Sequence, residues 1–180
     1  MLGVLVGKIV LHRPYYLDRI RPSFWVPTLK QMSARAWAKI LGISFILALG
    51  SFFLILWFST WLVNAGMELY SEDYVFLKLE QVSPLVLFVS ANALPVFEEW
   101  IFRGILLEEA ARKLRSRVAG LLVSAVAFSV FHLSNPGTYP AFVLPLLIGG
   151  IALGACYLLA GLGAAILCHC AYNSMLMLLG

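Results

Sequence analysis

Charged residues are scarce in this sequence, and their scarcity excludes an ordinary soluble domain. Only 12% of the 180 residues are Asp, Glu, Lys or Arg, whereas 62% are hydrophobic. Soluble domains average about 25% charged and about 45–50% apolar residues. Since a chain of this length cannot bury so much apolar surface in its own core, the composition predicts an integral membrane protein.

Several catalytic classes lack their defining residues here. The two aspartates, Asp18 and Asp73, lie outside the long apolar segments, which excludes an aspartyl intramembrane protease. No serine lies in a Gly-x-Ser-x-Gly turn, and the His-Glu-x-x-His motif of metalloprotease helices is missing. The three cysteines lie in apolar segments and predict small buried side chains rather than disulfides or nucleophiles: Cys156, Cys168 and Cys170.

Long apolar segments, by contrast, are abundant and predict the fold. A membrane-spanning helix needs about 20 mostly apolar residues. The segments that approach or reach this length are 40–63, 84–107, 118–133, 141–160 and 162–179. They predict an all-α protein, a polytopic transmembrane helical bundle of about five spans with the active site between helices. The transmembrane domain is expected to cover residues 37–180.

The first 36 residues are expected to form an N-terminal cytoplasmic or interfacial arm. Within it, the apolar tract 2–11 is too short to span a membrane. No small-residue cleavage site follows the tract, so it is not interpreted as a signal peptide. An interfacial helix and a strand-like arm both fit this tract.

The distribution of charge predicts the orientation in the membrane. Seven of the 13 basic residues lie before or at the start of the first span, and four lie between spans two and three. The loop between spans one and two is acidic. Because cytoplasmic loops are enriched in Lys and Arg, the N-terminus is expected in the cytoplasm. The net charge of +4 therefore reflects topology, and membrane lipids rather than nucleic acid are the expected partner. The compact chain without a targeting segment favours a prokaryotic inner membrane as the location.

Polar residues inside a span are costly and usually mark function. Glu99 and Arg103 lie four residues apart on one helix face, in the order that favours an ion pair. Glu98 is rotated by about 100° from Glu99 and has no cation nearby in the sequence. An unpaired carboxylate of this kind suits a general base or acid. The alternative is a helix end whose charges reach water.

Two further polar groups lie on later spans. Phe128 precedes His132 by one turn and is positioned to pack under its ring. His169 and Asn173 are four residues apart and share a helix face, so they suit a substrate carbonyl or its oxyanion. A structural histidine and interhelical hydrogen bonds are the alternatives. Counting about 1.5 Å per residue along each span predicts that all three groups meet in one layer of the membrane.

These motifs, in this order, resemble those of the CPBP family of intramembrane proteases, which includes the CAAX prenyl endopeptidases and the bacterial ABI proteins. The resemblance covers about residues 83–180 and implies that Glu99 and Arg103 form a supporting pair. The matching motifs read Glu98-Glu99…Arg103, Phe128…His132 and His169…Asn173.

The resemblance also implies an intramembrane peptidase that hydrolyses a peptide bond with activated water. Glu98 would activate the water with the help of His132, and His169 with Asn173 would stabilise the oxyanion. Family members have been described both as metalloproteases and as glutamate proteases. Glu98, His132 and His169 could hold a divalent metal such as zinc with one position left for water, but we favour a metal-free mechanism.

Other interpretations stay open at this point. A non-catalytic membrane scaffold or immunity-type protein could share the fold, and a small transporter could use the same residues as a proton relay. As an enzyme, the protein is expected to act on a membrane-associated protein or peptide. Its bundle is small, so a homo-oligomer or a membrane partner is expected to complete it.

Overall fold

The computed structural model describes residues 2–179 and is helical along most of that range. Met1, the first residue of the predicted arm, and Gly180, the last residue of the predicted transmembrane domain, lie outside the described residues. A π-helix, Trp100–Leu107, joins two of the α-helices, and short 3-10 helices occur at His132–Ser134 and Pro140–Phe142. The α-helices are α1 (Leu2–His12), α2 (Tyr15–Asp18), α3 (Pro22–Gln31), α4 (Ala34–Asn64), α5 (Val75–Val82), α6 (Pro84–Glu99), α7 (Glu108–Leu114), α8 (Arg117–Phe131), α9 (Val143–Ala160) and α10 (Leu162–Leu179).

Within the described residues, five helical segments are long and apolar enough to cross a membrane, which confirms the predicted number of spans. The first begins at Ala34 rather than residue 40. The second continues beyond residue 107 through α7, because Glu108–Leu114 extends the same helix past the apolar stretch. The segments are Ala34–Asn64, Pro84–Leu114, Arg117–Ser134, Pro140–Ala160 and Leu162–Leu179.

Local sequence explains where these helices begin and end. Ser33, Ser83 and Ser116 each stand just before a span, and each hydroxyl accepts a hydrogen bond from the backbone N–H three residues later. Pro84 follows at the first position of α6, where a missing N–H does no harm. Gly161, at φ +86°, makes the turn between α9 and α10.

The bundle places its polar chemistry on the inside and apolar side chains on the outside. α4 packs along α9 and α10, α8 packs along α9 and the π-helix, and α6 packs along α10. Phe102, Phe128 and Cys168 are buried at the centre. The outer faces are apolar, as lipid contact requires. Exposed side chains on those faces include Phe45, Ile46, Phe53, Trp57, Leu85, Val89, Phe97, Leu122 and Val130.

The N-terminal arm is helical and packs beside the second span. Val6 and Tyr16 form a buried cluster with Ile105 of the π-helix. Because the tract 2–11 lies in the helix α1, the strand-like alternative for it is wrong. Tyr16 donates a 2.9 Å hydrogen bond to Glu109, and burial raises the pKa of the Tyr16 hydroxyl, so it stays protonated. Arg13 also pairs with Glu109, at 3.2 Å.

A second set of contacts ties the arm to the same span. Arg19 forms a 2.7 Å ion pair with Glu108 and donates a 3.2 Å hydrogen bond to the carbonyl oxygen of Gly104. The indole of Trp100 donates to the carbonyl of Tyr16 at 2.7 Å. This docking was not predicted from the sequence, in which the acidic pair Glu108–Glu109 after the apolar part of the second span is the one signal for it.

Gly150 lies at a close approach between α8 and α9. A Cβ at this position would lie 3.0–3.1 Å from the Cα, Cβ and carbonyl oxygen of Ala125. The carbonyl of Gly150 also accepts a 3.1 Å hydrogen bond from Arg103. The small residue therefore sets both the helix separation and the position of a polar acceptor.

Replacing Gly150 with alanine is expected to destabilise the bundle by about 1–3 kcal/mol, because two backbones must move apart. Thermal unfolding in detergent measures this. Gly50→Ala is the matched control, since Gly50 lies in a helix with nothing within 4 Å of the added Cβ. That control is expected to be neutral or to stabilise by about 0.5–1 kcal/mol. Equal effects of the two substitutions would contradict the packing argument.

Candidate active site

The predicted ion pair lies fully buried where α6 continues into the π-helix. Arg103 Nη1 donates a 2.8 Å hydrogen bond to Glu99 Oε1, and both side chains have 0% exposure. The guanidinium carbon of Arg103 lies 4.4 Å from the centre of the Phe128 ring, which adds a cation–π contact. The predicted pairing of Glu99 with Arg103 is confirmed, and Arg103 is held both by Glu99 and by the Phe128 ring.

His169 lies between the two glutamates. Its Nδ1 is 2.8 Å from Glu99 Oε1, and its Nε2 is 3.7 Å from Glu98 Oε2. A carboxylate oxygen accepts, so Nδ1 carries the hydrogen and Nε2 faces Glu98. Glu98 is 23% exposed, whereas Glu99 is completely buried. The arrangement separates an enclosed structural carboxylate from a neighbouring carboxylate that is accessible.

His132 is held at the end of α8 by its own helix. Its Nδ1 is 2.8 Å from the carbonyl oxygen of Phe128, which can only accept, so Nε2 of a neutral His132 is left as the basic nitrogen. The rings of His132 and Phe128 pack with centres 4.5 Å apart and planes tilted by 55°, which confirms that Phe128 packs against His132. Phe128 also contacts the ring of His169, at 5.8 Å. Phe128 thus links the two histidines.

Asn173 does not point where the sequence predicts. His169 is directed at the glutamates, whereas Asn173 Nδ2 donates a 2.6 Å hydrogen bond to the carbonyl of Ala91 on α6. In this structure the two side chains therefore contact different parts of α6 rather than one shared point. The physical reason lies in α6, where Pro95 has no N–H to offer the carbonyl of Ala91.

The residues predicted as metal ligands do not form a metal-binding group. Within residues 2–179, no three His, Cys, Asp or Glu side chains converge to hold an ion. Nδ1 of His169 binds Glu99 and Nδ1 of His132 binds a backbone carbonyl, so a metal would have to use the Nε2 atoms. The set Glu98, His132 and His169 is therefore not arranged around a common ion position in this structure.

Nothing in the sequence predicted the π-helix Trp100–Leu107. Such segments interrupt α-helices frequently at functional sites, and here one follows the glutamate pair directly. Its wider turn places Phe102 and Arg103 inside the bundle. Ser124 of α8 donates a 2.7 Å hydrogen bond to the carbonyl of Phe102. The π-helix is therefore fixed from α8 as well as from the arm.

Comparison with known families agrees with this geometry. Residues 80–175 match the family model of the type II CAAX prenyl endopeptidase Rce1-like proteins. The chain belongs to this family. The match covers α6 to most of α10 and contains every predicted site residue, whereas the N-terminal arm and α4 lie before it. Searches of curated proteins and of solved structures found no match. The family predicted from the three motifs is confirmed.

Proposed function

We propose that this integral membrane protein is an intramembrane endopeptidase that cleaves a membrane-associated protein or peptide in or near the membrane. One observation carries the proposal. Glu98 is an accessible carboxylate inside an apolar bundle, and it stands beside a buried Glu99–Arg103–His169 network that holds its surroundings in place. A group that only stabilised the fold would gain nothing from this exposure.

The proposed reaction uses water and no acyl-enzyme. Glu98 takes a proton from water as the hydroxide attacks the substrate carbonyl, and Nε2 of His132 orients that water. His169, held at Nδ1 by Glu99, would donate a hydrogen bond from Nε2 to the oxyanion when its ring is doubly protonated. When the C–N bond breaks, Glu98 returns its proton to the leaving amine. The oxyanion contact expected from Asn173 stays a prediction.

The proposed orientation follows the charges. The arm and the α7–α8 turn carry most of the basic residues, so they are placed in the cytoplasm. α6 then runs inward and α8 and α10 run outward. In this orientation His132 and the last turns of α10 lie toward the side of the membrane away from the cytoplasm. The proposed location is a prokaryotic inner membrane.

Removing divalent metals is expected to leave cleavage unchanged. Membranes containing the wild-type protein would be incubated with a panel of C-terminal-tail and prenyl-peptide reporters, with and without a zinc chelator. The expectation rests on the described residues 2–179, in which no three His, Cys, Asp or Glu side chains converge on one ion position. If the chelator abolished cleavage and added zinc restored it, the metal-free mechanism would be wrong. Absence of cleavage across the whole panel would favour the scaffold or immunity-type alternative.

A further inference from the structure

Pro95 creates a backbone problem inside α6, three residues before Glu98. In an α-helix the N–H of residue 95 would bind the carbonyl of Ala91, but proline has no N–H and its ring crowds that carbonyl. Both residues are buried. Because protein and lipid surround this carbonyl, no water replaces the missing N–H as a hydrogen-bond donor. The carbonyl of Ala91 therefore needs a donor from another part of the protein.

α10 supplies this donor from a strip of polar side chains. Asn173 Nδ2 binds the carbonyl oxygen of Ala91 at 2.6 Å. One residue further along α6, the carbonyl of Asn92 accepts from Cys170 Sγ at 3.3 Å. Ser174 donates to the Asn92 side chain at 3.2 Å. Cys170, Asn173 and Ser174 follow the i, i+3, i+4 spacing, so they share the face of α10 that meets α6.

α10 therefore holds α6 on both sides of the proline. Asn173 binds before Pro95, at Ala91, and His169 binds after it, at Glu99. A proline permits a range of bend angles in a helix. Two fixed contacts from one rigid helix select a single bend, and that bend determines where Glu98 stands relative to His169.

We propose that Asn173 is a positioning residue. It binds the carbonyl that Pro95 leaves free and, together with His169, fixes the bend of α6 that presents Glu98 to the substrate. The proposal rests on the proposed function in so far as Glu98 is the group that activates water. It gives Asn173 a role different from the oxyanion contact that the family resemblance implies.

A double-mutant cycle of Asn173→Ala and Pro95→Ala separates the two roles. Alanine at position 95 restores the N–H that the carbonyl of Ala91 lacks, so Asn173 loses its task. With Pro95 present, Asn173→Ala is expected to lower kcat about ten- to a hundredfold with little change in KM. In the Pro95→Ala background, the same substitution is expected to change kcat less than about twofold, whereas a lost oxyanion donor would cost about 10²–10³-fold in both backgrounds.

The thermal unfolding midpoint in detergent gives a readout that does not depend on activity. Asn173→Ala is expected to lower it with Pro95 present and to leave it nearly unchanged with alanine at position 95. Pro95→Gly supplies the same N–H and replaces Pro95→Ala if that variant does not fold. Ser174→Ala is the matched control on the same face of α10, and its effect is expected to be small in either background.

The outcomes are distinct for the two proposals. If no variant cleaves a reporter but the unfolding midpoints are coupled as described, the proposed function fails and the positioning contact stands. If the effects of Asn173→Ala and Pro95→Ala are additive in both kcat and the unfolding midpoint, the positioning role is overturned.

Discussion

Glu98→Gln is expected to abolish peptide-bond cleavage in membranes while the protein still inserts and folds. Glutamine keeps the shape of the side chain and its contact with His169 but cannot accept a proton from water. A positioned general base contributes about 10²–10⁴-fold to a rate, so the remaining cleavage should fall below detection for most reporters. The measurement is reporter cleavage per folded molecule, with folding checked by thermal unfolding in detergent.

Glu68→Gln is the matched control for this substitution. Glu68 lies exposed in the loop between the first two spans, so the same chemical change removes a charge that takes part in none of the contacts described for the site. Cleavage by this variant should equal that of the wild-type protein. If Glu98→Gln retained the wild-type rate, Glu98 would not be the base and the mechanism would be wrong.

Arg103→Met is expected to destabilise the bundle by about 3–5 kcal/mol, because it leaves Glu99 as a buried charge without its cation. Glu99 is fully enclosed and would keep only the hydrogen bond from His169. The substitution also removes the contacts of Arg103 with Gly150 and Phe128. The thermal unfolding midpoint and the yield of folded protein in detergent measure the loss.

Removing both charges tests whether the unpaired carboxylate is the cause. The double variant Glu99→Gln with Arg103→Met should recover much of the lost stability, since replacing a whole buried pair costs far less than breaking it. Arg117→Met, at an exposed position, should leave the unfolding midpoint nearly unchanged. If Arg103→Met unfolded at the wild-type temperature, the buried pair would not stabilise the fold.

The sequence by itself determined the class of fold and the family. An apolar chain in lipid must satisfy its backbone hydrogen bonds within each segment, so long apolar runs become helices. Helical periodicity then fixes which residues share a face, and this was enough to predict the pairing of Glu99 with Arg103 and the packing of Phe128 under His132. Both are local contacts four residues apart in the chain.

Only the tertiary structure decided which groups meet between helices. Periodicity predicts which residues share a helix face, but not how that helix is rotated or shifted along its axis against a neighbour. The contacts of His169 with Glu99 and of Asn173 with Ala91 therefore could not be predicted from it. A π-helix changes the rotation of everything that follows it, and no local signal in the sequence announced one. The docking of the arm on Glu108 and Glu109 likewise depends on two segments about 90 residues apart in the chain.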